Sequence, residues 1–246
     1  VIKGAPVYWY DEIDSTSEEA KRRARKGETG PVWIAARRQT AGRGRLGRQW
    51  SSPDGNLFTS ILFVPPGGLA LAGRVPFAAA LAAVDACKAV LPNVGFKLKW
   101  PNDVRVDRAK LTGILVESGE TNGVAWVVLG IGINVLVAPE LEGQETVSLN
   151  ALGAPHGLSA DDVLSSLREA LENRLTQAQN AFPALLNDWK ANAEALGQEV
   201  EAGPVDARLT GTFEDLAEDG GLILRLPDGN RQTIRAGDVE LVRQVE

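Results

Sequence analysis

Residues 39–50 read Gln39-Thr40-Ala41-Gly42-Arg43-Gly44-Arg45-Leu46-Gly47-Arg48-Gln49-Trp50. Three guanidinium groups are set among three glycines. Planar guanidinium forks match phosphate oxygens two bonds at a time. The glycines free the backbone and make the segment entropically costly to order. Together they predict a loop that orders around a polyphosphate or an acyl phosphate. A solvated basic loop that binds nothing fits the same residue types. So does an RGG-like nucleic-acid segment, although those usually repeat and this one occurs once. Gly42, Gly44 and Gly47 also match the dinucleotide fingerprint G-x-G-x-x-G, but that motif leads straight into a helix. Residues 48–53 are a poor helix start.

Two lysine segments follow. Lys99-Trp100-Pro101-Asn102-Asp103 combines a cation, an aromatic, a rigid turn, an amide and a carboxylate. Pro101 pushes Trp100 out of helical geometry, which predicts a sharp break at a strand end, where site residues are common. An ordinary capped strand-turn fits equally. Residues 110–117 read as a strand led by Lys110, whose ammonium either serves a site or lies in solvent.

These segments need a scaffold, and 246 residues suit one large domain or one domain with a small appendage. The apolar and charged fractions, 44% and 24%, are ordinary for a globular chain. No apolar run is long enough to suggest a membrane span and no leader pattern is visible, so a cytoplasmic location is expected. The net charge is −6, yet residues 21–48 hold ten Lys/Arg against Glu28 alone. A positive segment on an acidic chain predicts a localised anionic ligand, with no nucleic-acid partner and no membrane partner. One cysteine and one histidine exclude an internal disulfide and a Cys/His zinc cluster. Any Ser-His-Asp triad would have to use His156, which sits in a Gly/Pro-rich loop. Cys87 lies in an alanine-rich helical pattern and is expected to pack as a small hydrophobe.

The elements expected around the motifs are as follows. Ser15 with Glu18, or Thr16 with Glu19, has capping-box spacing, starting a helix to about residue 26 that Gly27 ends. Residues 31–38 and 56–64 read as strands, with a loop over 39–53 between them. Residues 75–90 form a long apolar helix with Pro76 in its first turn. Short strands cover 96–100 and 104–106. Residues 110–117 and 124–135 are strands joined by Thr121-Asn122-Gly123, a hairpin signal. Ser159 caps a helix to about residue 179, and another covers 182–195. Beyond Gly197, short runs broken by Gly and Asp-Gly predict a small all-β module. The class is α+β, with domains at 1–196 and 197–246.

The ordered set of segments resembles the biotin protein ligases. Residues 39–50 resemble that family's ligand-binding loop. Lys99 to Asp103 and the strand from Lys110 resemble its lysine segments, at a similar interval. Gly130-Ile131-Gly132-Ile133-Asn134 resembles its Gly-x-Gly-Ile-Asn strand, and Asp14-Ser15-Thr16 its first catalytic segment. Ser17 departs from the pattern, since many members carry asparagine there. No helix-turn-helix precedes residue 1, so the resemblance is to members without DNA-binding function.

The resemblance implies a mixed sheet flanked by helices, class II synthetase-like, with an SH3-like C-terminal β-barrel. It implies ATP-dependent formation of biotinyl-5′-AMP from biotin and MgATP. The biotin then passes to a lysine of a biotin carboxyl carrier protein. Lys110, Arg45 and Asp103 would be catalytic. Ser15, Thr16, Ser17, Gln39, Arg43, Gly44, Arg45, Lys110, Gly113 and Leu115 would contact biotin. Arg43, Arg45, Arg48, Trp50, Asn102, Lys110 and Asn134 would contact ATP or the adenylate. Members of the family can form homodimers by pairing sheets side by side, to which residues 124–135 could contribute. A lipoate or octanoate ligase of the same fold, a biotin-responsive regulator and a non-catalytic carrier-binding module are the alternatives.

Overall fold

Short runs buried on both faces build the centre of the main sheet. In the computed structural model, which describes residues 1–204 and 206–242, seven strands form it: β1 (Val7–Ile13), β2 (Val32–Gln39), β3 (Leu57–Phe63), β4 (Lys97–Lys99), β5 (Asp103–Val106), β6 (Ala109–Thr121) and β7 (Val124–Ile133). Their order is β1-β2-β3-β7-β6-β5-β4. Only β1 and β2 run parallel.

Strand β7 shows how the two faces divide. Val127, Leu129, Ile131 and Ile133 point into the larger core. Trp126 and Val128 point the other way, against Ala20 and Ala24 of α1 (Thr16–Arg25). The larger core is filled by α3 (Val75–Val90), α4 (Ala160–Asn180) and α5 (Phe182–Ala191), with the single-turn α2 (Leu69–Ala72) before them. Helix α3 is buried nearly all round because it packs on the sheet and against α4. Helix α4 presents the stripe Leu164, Leu167, Leu171 and Leu175, each leucine contributing about 1.5–3 kcal/mol by burial. Its Ser159 cap is a full capping box with Asp162. Cys87 is wholly buried and its thiol is pushed up to about 12. It packs as a small hydrophobe and is no nucleophile.

The expected 121–123 hairpin is a two-residue turn, with Asn122 at φ 52° and Gly123 at φ 77°, as a primed turn requires. Three features differ from expectation. Strand β1 was not foreseen, because it is an edge strand with no fully buried residue and therefore a weak apolar signal. Helix α5 stops at Ala191, and the next residues pair instead with the sheet edge, Leu98 N–H to Asn192 O at 2.8 Å and Glu194 N–H to Leu98 O at 2.9 Å. Strand β7 is hydrogen-bonded to β6 throughout but to β3 only from Val127 onward, so of the expected dimer strand only residues 124–126 lack a partner on the β3 side. Strand β6, by contrast, is paired with β5 only up to Gly113.

The C-terminal strands are β8 (Glu199–Gly203), β9 (Leu209–Leu216), β10 (Leu222–Arg225), β11 (Arg231–Ile234) and β12 (Asp238–Leu241), in the antiparallel order β11-β10-β9-β8-β12. The whole is α+β with a small SH3-like C-terminal unit, and the two sheets share one apolar core. Gly220, at the turn between β9 and β10, has φ +86°, and a Cβ there would fall 2.4 Å from the Phe77 ring. Beside it, Trp100 Nε1–H donates to Gly220 O at 3.1 Å. The small sheet is thus seated against the turn that carries Asn102 and Asp103.

Candidate functional site

Strands β6 and β7 supply a floor of bare backbone. Gly113 pairs with Gly132, and Leu115 with Gly130. The Trp50 indole lies on that floor: a Cβ at Gly113 would come within 2.5 Å of the ring, and one at Gly132 within 2.6 Å. A Cβ at Gly130 would meet Ser17 Oγ at 2.6 Å. Each of these glycines is therefore there to admit a side chain from another element. The cleft above has a volume of about 110 Å³ and is partly open to solvent.

One end of the cleft is a web of hydroxyls at the N-terminus of α1. Ser15 is the N-cap and accepts from Glu18 N–H. Gln39, at the end of β2, accepts from Thr16 N–H at 2.9 Å and from Thr16 Oγ1 at 3.2 Å. Ser60 on β3 lies 2.8 Å from Thr16 Oγ1 and 3.0 Å from Ser17 Oγ. The Gln39 amide in turn donates to Ser52 Oγ at 3.1 Å. Ser15, Thr16 and Ser17 are all buried. This end can hold a polar, uncharged head in fixed register. The capping box expected here is only half made, because the Glu18 carboxylate turns away to Lys21 and Arg43.

The other end is charged. Lys110 Nζ lies 3.0 Å from Asp103 Oδ2 and 5.6 Å from the centre of the Trp50 ring. Arg45 donates to Asn102 Oδ1 at 3.1 Å and to Gly237 O at 3.1 Å. Asp238 Oδ1 is 3.5 Å from Arg45, and its Oδ2 is 3.2 Å from Arg48. Burial pushes the Asp238 carboxyl up, but Lys99, Arg45 and Arg48 outweigh that and hold it below its ordinary value. Asn102 is fixed by donating to Ile114 O. Cations converging around open space can neutralise transferred or developing negative charge.

All but one of the residues expected at a site line this cleft; the exception is Asn134. Asn134 is buried, and its amide donates to Lys110 O at 3.3 Å and Val147 O at 3.1 Å. It holds the main chain beneath Lys110 and does not line the cleft. Arg43 lines the cleft but turns its guanidinium to Glu18. Eight of the ten cations in residues 21–48 pair with carboxylates. The positive segment is therefore not an open patch, and only Arg45 and Arg48 of these point with Lys110 toward the charged end.

Sequence reasoning missed Asp238, Ser60, Thr59 and Gln144, which line or support the cleft from distant parts of the chain. Nothing in their local sequence marks them. Glu18 was visible only as a capping residue.

The Biotin/lipoate A/B protein ligase family model matches residues 10–134, and the Biotin protein ligase C terminal domain model matches residues 195–242. The chain is 39% identical over 233 residues to a biotin–[acetyl-CoA-carboxylase] ligase of Paracoccus denitrificans, covering 92% of this chain and 96% of that one. It is 34% identical over 241 residues to the enzyme of the same name from Mycobacterium tuberculosis, covering 93% and 86%. The solved biotin protein ligase of Aquifex aeolicus in complex with biotin and ATP is 28% identical, with a TM-score of 0.80, covering 97% of this chain and 99% of that one.

Proposed function

This chain belongs to the biotin/lipoate A/B protein ligase family, and from that premise we infer that it is an ATP-dependent biotin protein ligase with biotin and ATP as substrates. The observation that carries this reading is a single cleft with a buried hydroxyl web at one end and Lys110, Arg45 and Arg48 at the other. A ureido head and a triphosphate ask for those two opposite environments. The C-terminal match and the names of the relatives favour biotin over a lipoyl tail.

In the proposed first step the biotin carboxylate attacks the α-phosphate of ATP. A C–O–P bond forms, and pyrophosphate leaves with the electron pair of the broken P–O bond. Ser15, Thr16, Ser17 and Gln39 orient the head, and Gly44, Gly113 and Leu115 line its path. Lys110, Arg45 and Arg48 neutralise the charge that two anions bring together, a task for which pre-placed cations serve well. Trp50 and Asn102 border the nucleotide, and Asn134 acts through the backbone of Lys110. In the second step a lysine amine of a biotin carboxyl carrier protein attacks the mixed anhydride, AMP departs, and an amide forms. Asp103, paired with Lys110, orients that amine; a carboxylate is a weak base for an ammonium.

Among the described residues no cluster of three or more His, Cys, Asp or Glu side chains could cage a metal ion. The Asp103 and Asp238 carboxylates are engaged by cations. A magnesium ion therefore fits as a passenger on the triphosphate, which is its usual mode, where it would neutralise phosphate charge.

The reading includes a cytoplasmic location. No helix among the described residues is long and apolar enough to cross a membrane. A side-by-side homodimer, where it forms, would use β6 beyond Gly113, the stretch that β5 leaves unpaired. Incubation with biotin, MgATP and a carrier domain tests the function: intact-mass measurement is expected to show one biotinyl addition on the carrier. An unmodified carrier alongside an active reference ligase would refute it.

A further inference from the structure

The two arms of the glycine-arginine loop are held differently. On the second arm, Arg45 and Arg48 meet Asp238 at 3.5 and 3.2 Å, longer than the roughly 2.7–2.9 Å of a strong charge-assisted bond, and the other Arg45 bonds go to the neutral Asn102 Oδ1 and Gly237 O at 3.1 Å. On the first arm, Arg43 pairs closely with Glu18. Glu18 is itself fixed from below by Lys21, whose Nζ lies 2.8 Å from Glu18 and 2.7 Å from Glu117 on β6. The Lys21 side chain is only 8% exposed. A buried ammonium requires its carboxylates, so Lys21 holds Glu18 in place from a side that does not involve the loop. Burial pushes the Glu18 carboxyl up, but the bonds from Lys21 and Arg43 outweigh it and lower it.

We propose that Glu18 is a positioning residue for the ligase reaction: it anchors the first arm of the loop through Arg43 and leaves Arg45 and Arg48 to exchange Asp238 for nucleotide phosphates. The inference rests on the ligase reading of the cleft. Glu18 touches no reacting atom. It acts by setting the closed pose of a segment whose glycines would otherwise spread it over many conformations. Its reach to Arg43 explains why the capping box at Ser15 is left half made. The sequence between them is long, so the pairing is visible only in the folded chain.

Two measurements test it, one independent of activity. The first is tryptic cleavage after Arg45 and Arg48 in the ligand-free protein, followed by mass spectrometry. Glu18→Gln is expected to accelerate cleavage about tenfold, consistent with loss of a partly buried charged hydrogen bond. Arg43→Gln should do the same, and the double variant no more than either single one, because coupled residues are not additive. Wild-type cleavage in Glu18→Gln, or effects that multiply in the double variant, would overturn the anchor. Should Glu18→Gln fail to fold, Arg43→Gln, altered at a half-exposed side chain, carries the cleavage test alone. The second measurement is steady-state biotinylation. Glu18→Gln should raise KM for biotin about tenfold and leave kcat within about twofold, whereas an unchanged KM, with or without a fall in kcat, would overturn it. An inactive wild-type protein in that assay would count against the ligase reading, while the cleavage rates would still judge the anchor.

Discussion

The two ends of the cleft are built by opposite means. The hydroxyl end draws Thr16, Gln39 and Ser60 from three neighbouring elements of one sheet and helix, ties them by bonds of 2.8 to 3.2 Å, and buries the α1 residues. The charged end draws Lys110, Arg45 and Asp238 from a strand, a glycine loop and a separate sheet, with pairs of 3.0 to 3.5 Å that water reaches. Under the proposed ligase reading, the difference gives each end its own task. A fixed web discriminates a neutral head, since leaving a buried donor unmade costs about 1–3 kcal/mol. Loosely paired cations can be redirected to an incoming anion at little loss.

The sharpest break of that comparison is Lys110→Ala. It removes the cation nearest Trp50 and is expected to lower ATP–pyrophosphate exchange at least about 100-fold, while circular dichroism stays native and biotin still binds. Exchange at the wild-type rate would remove Lys110 from the charged end. Thr16→Val comes next. It keeps the shape but strips the hydroxyl shared by Gln39 and Ser60. KM for biotin should rise about tenfold with KM for ATP within about twofold; equal changes in both would mean the ends are not separate.

The smallest effect is one of pH. Hydrogen bonds from Arg22 hold the Asp14 carboxyl at about 2, below its ordinary 3.8, beside the hydroxyl web. A depressed carboxylate contributes stability fully above its unfolded value and loses it as pH falls through its folded value. Denaturation midpoints should therefore drop between about pH 4 and pH 2 in the wild-type chain and drop less in Asp14→Asn. Parallel curves for the two proteins would show that this ion pair adds nothing to the α1 terminus.

Much of the scaffold was legible because it depends on local signals. Pro76 opening α3, the Ser159 cap and the Asn122-Gly123 turn each state a backbone conformation within a few residues. The cleft-lining set was legible for a different reason, namely that its motifs are long and ordered along the chain. What escaped had weak or distant signals. Strand β1 is half-exposed, so its alternation is faint. The end of α5 was decided by pairing with β4, which no local pattern announces.

The sequence by itself determined the chemistry available: arginines on a glycine loop, lysines at strand starts, hydroxyls at a helix start, and glycines at 113, 130 and 132. Only the tertiary structure decided which of these act together. Register between β6 and β7 stacked Gly113 on Gly132 to seat Trp50. The seating of Gly220 on Phe77 brought Asp238 to Arg45 across 193 residues of chain. Folding also turned Asn134 inward, beneath Lys110. A side chain's type fixes which bonds it can form, but its partner is fixed by packing between elements far apart in the chain.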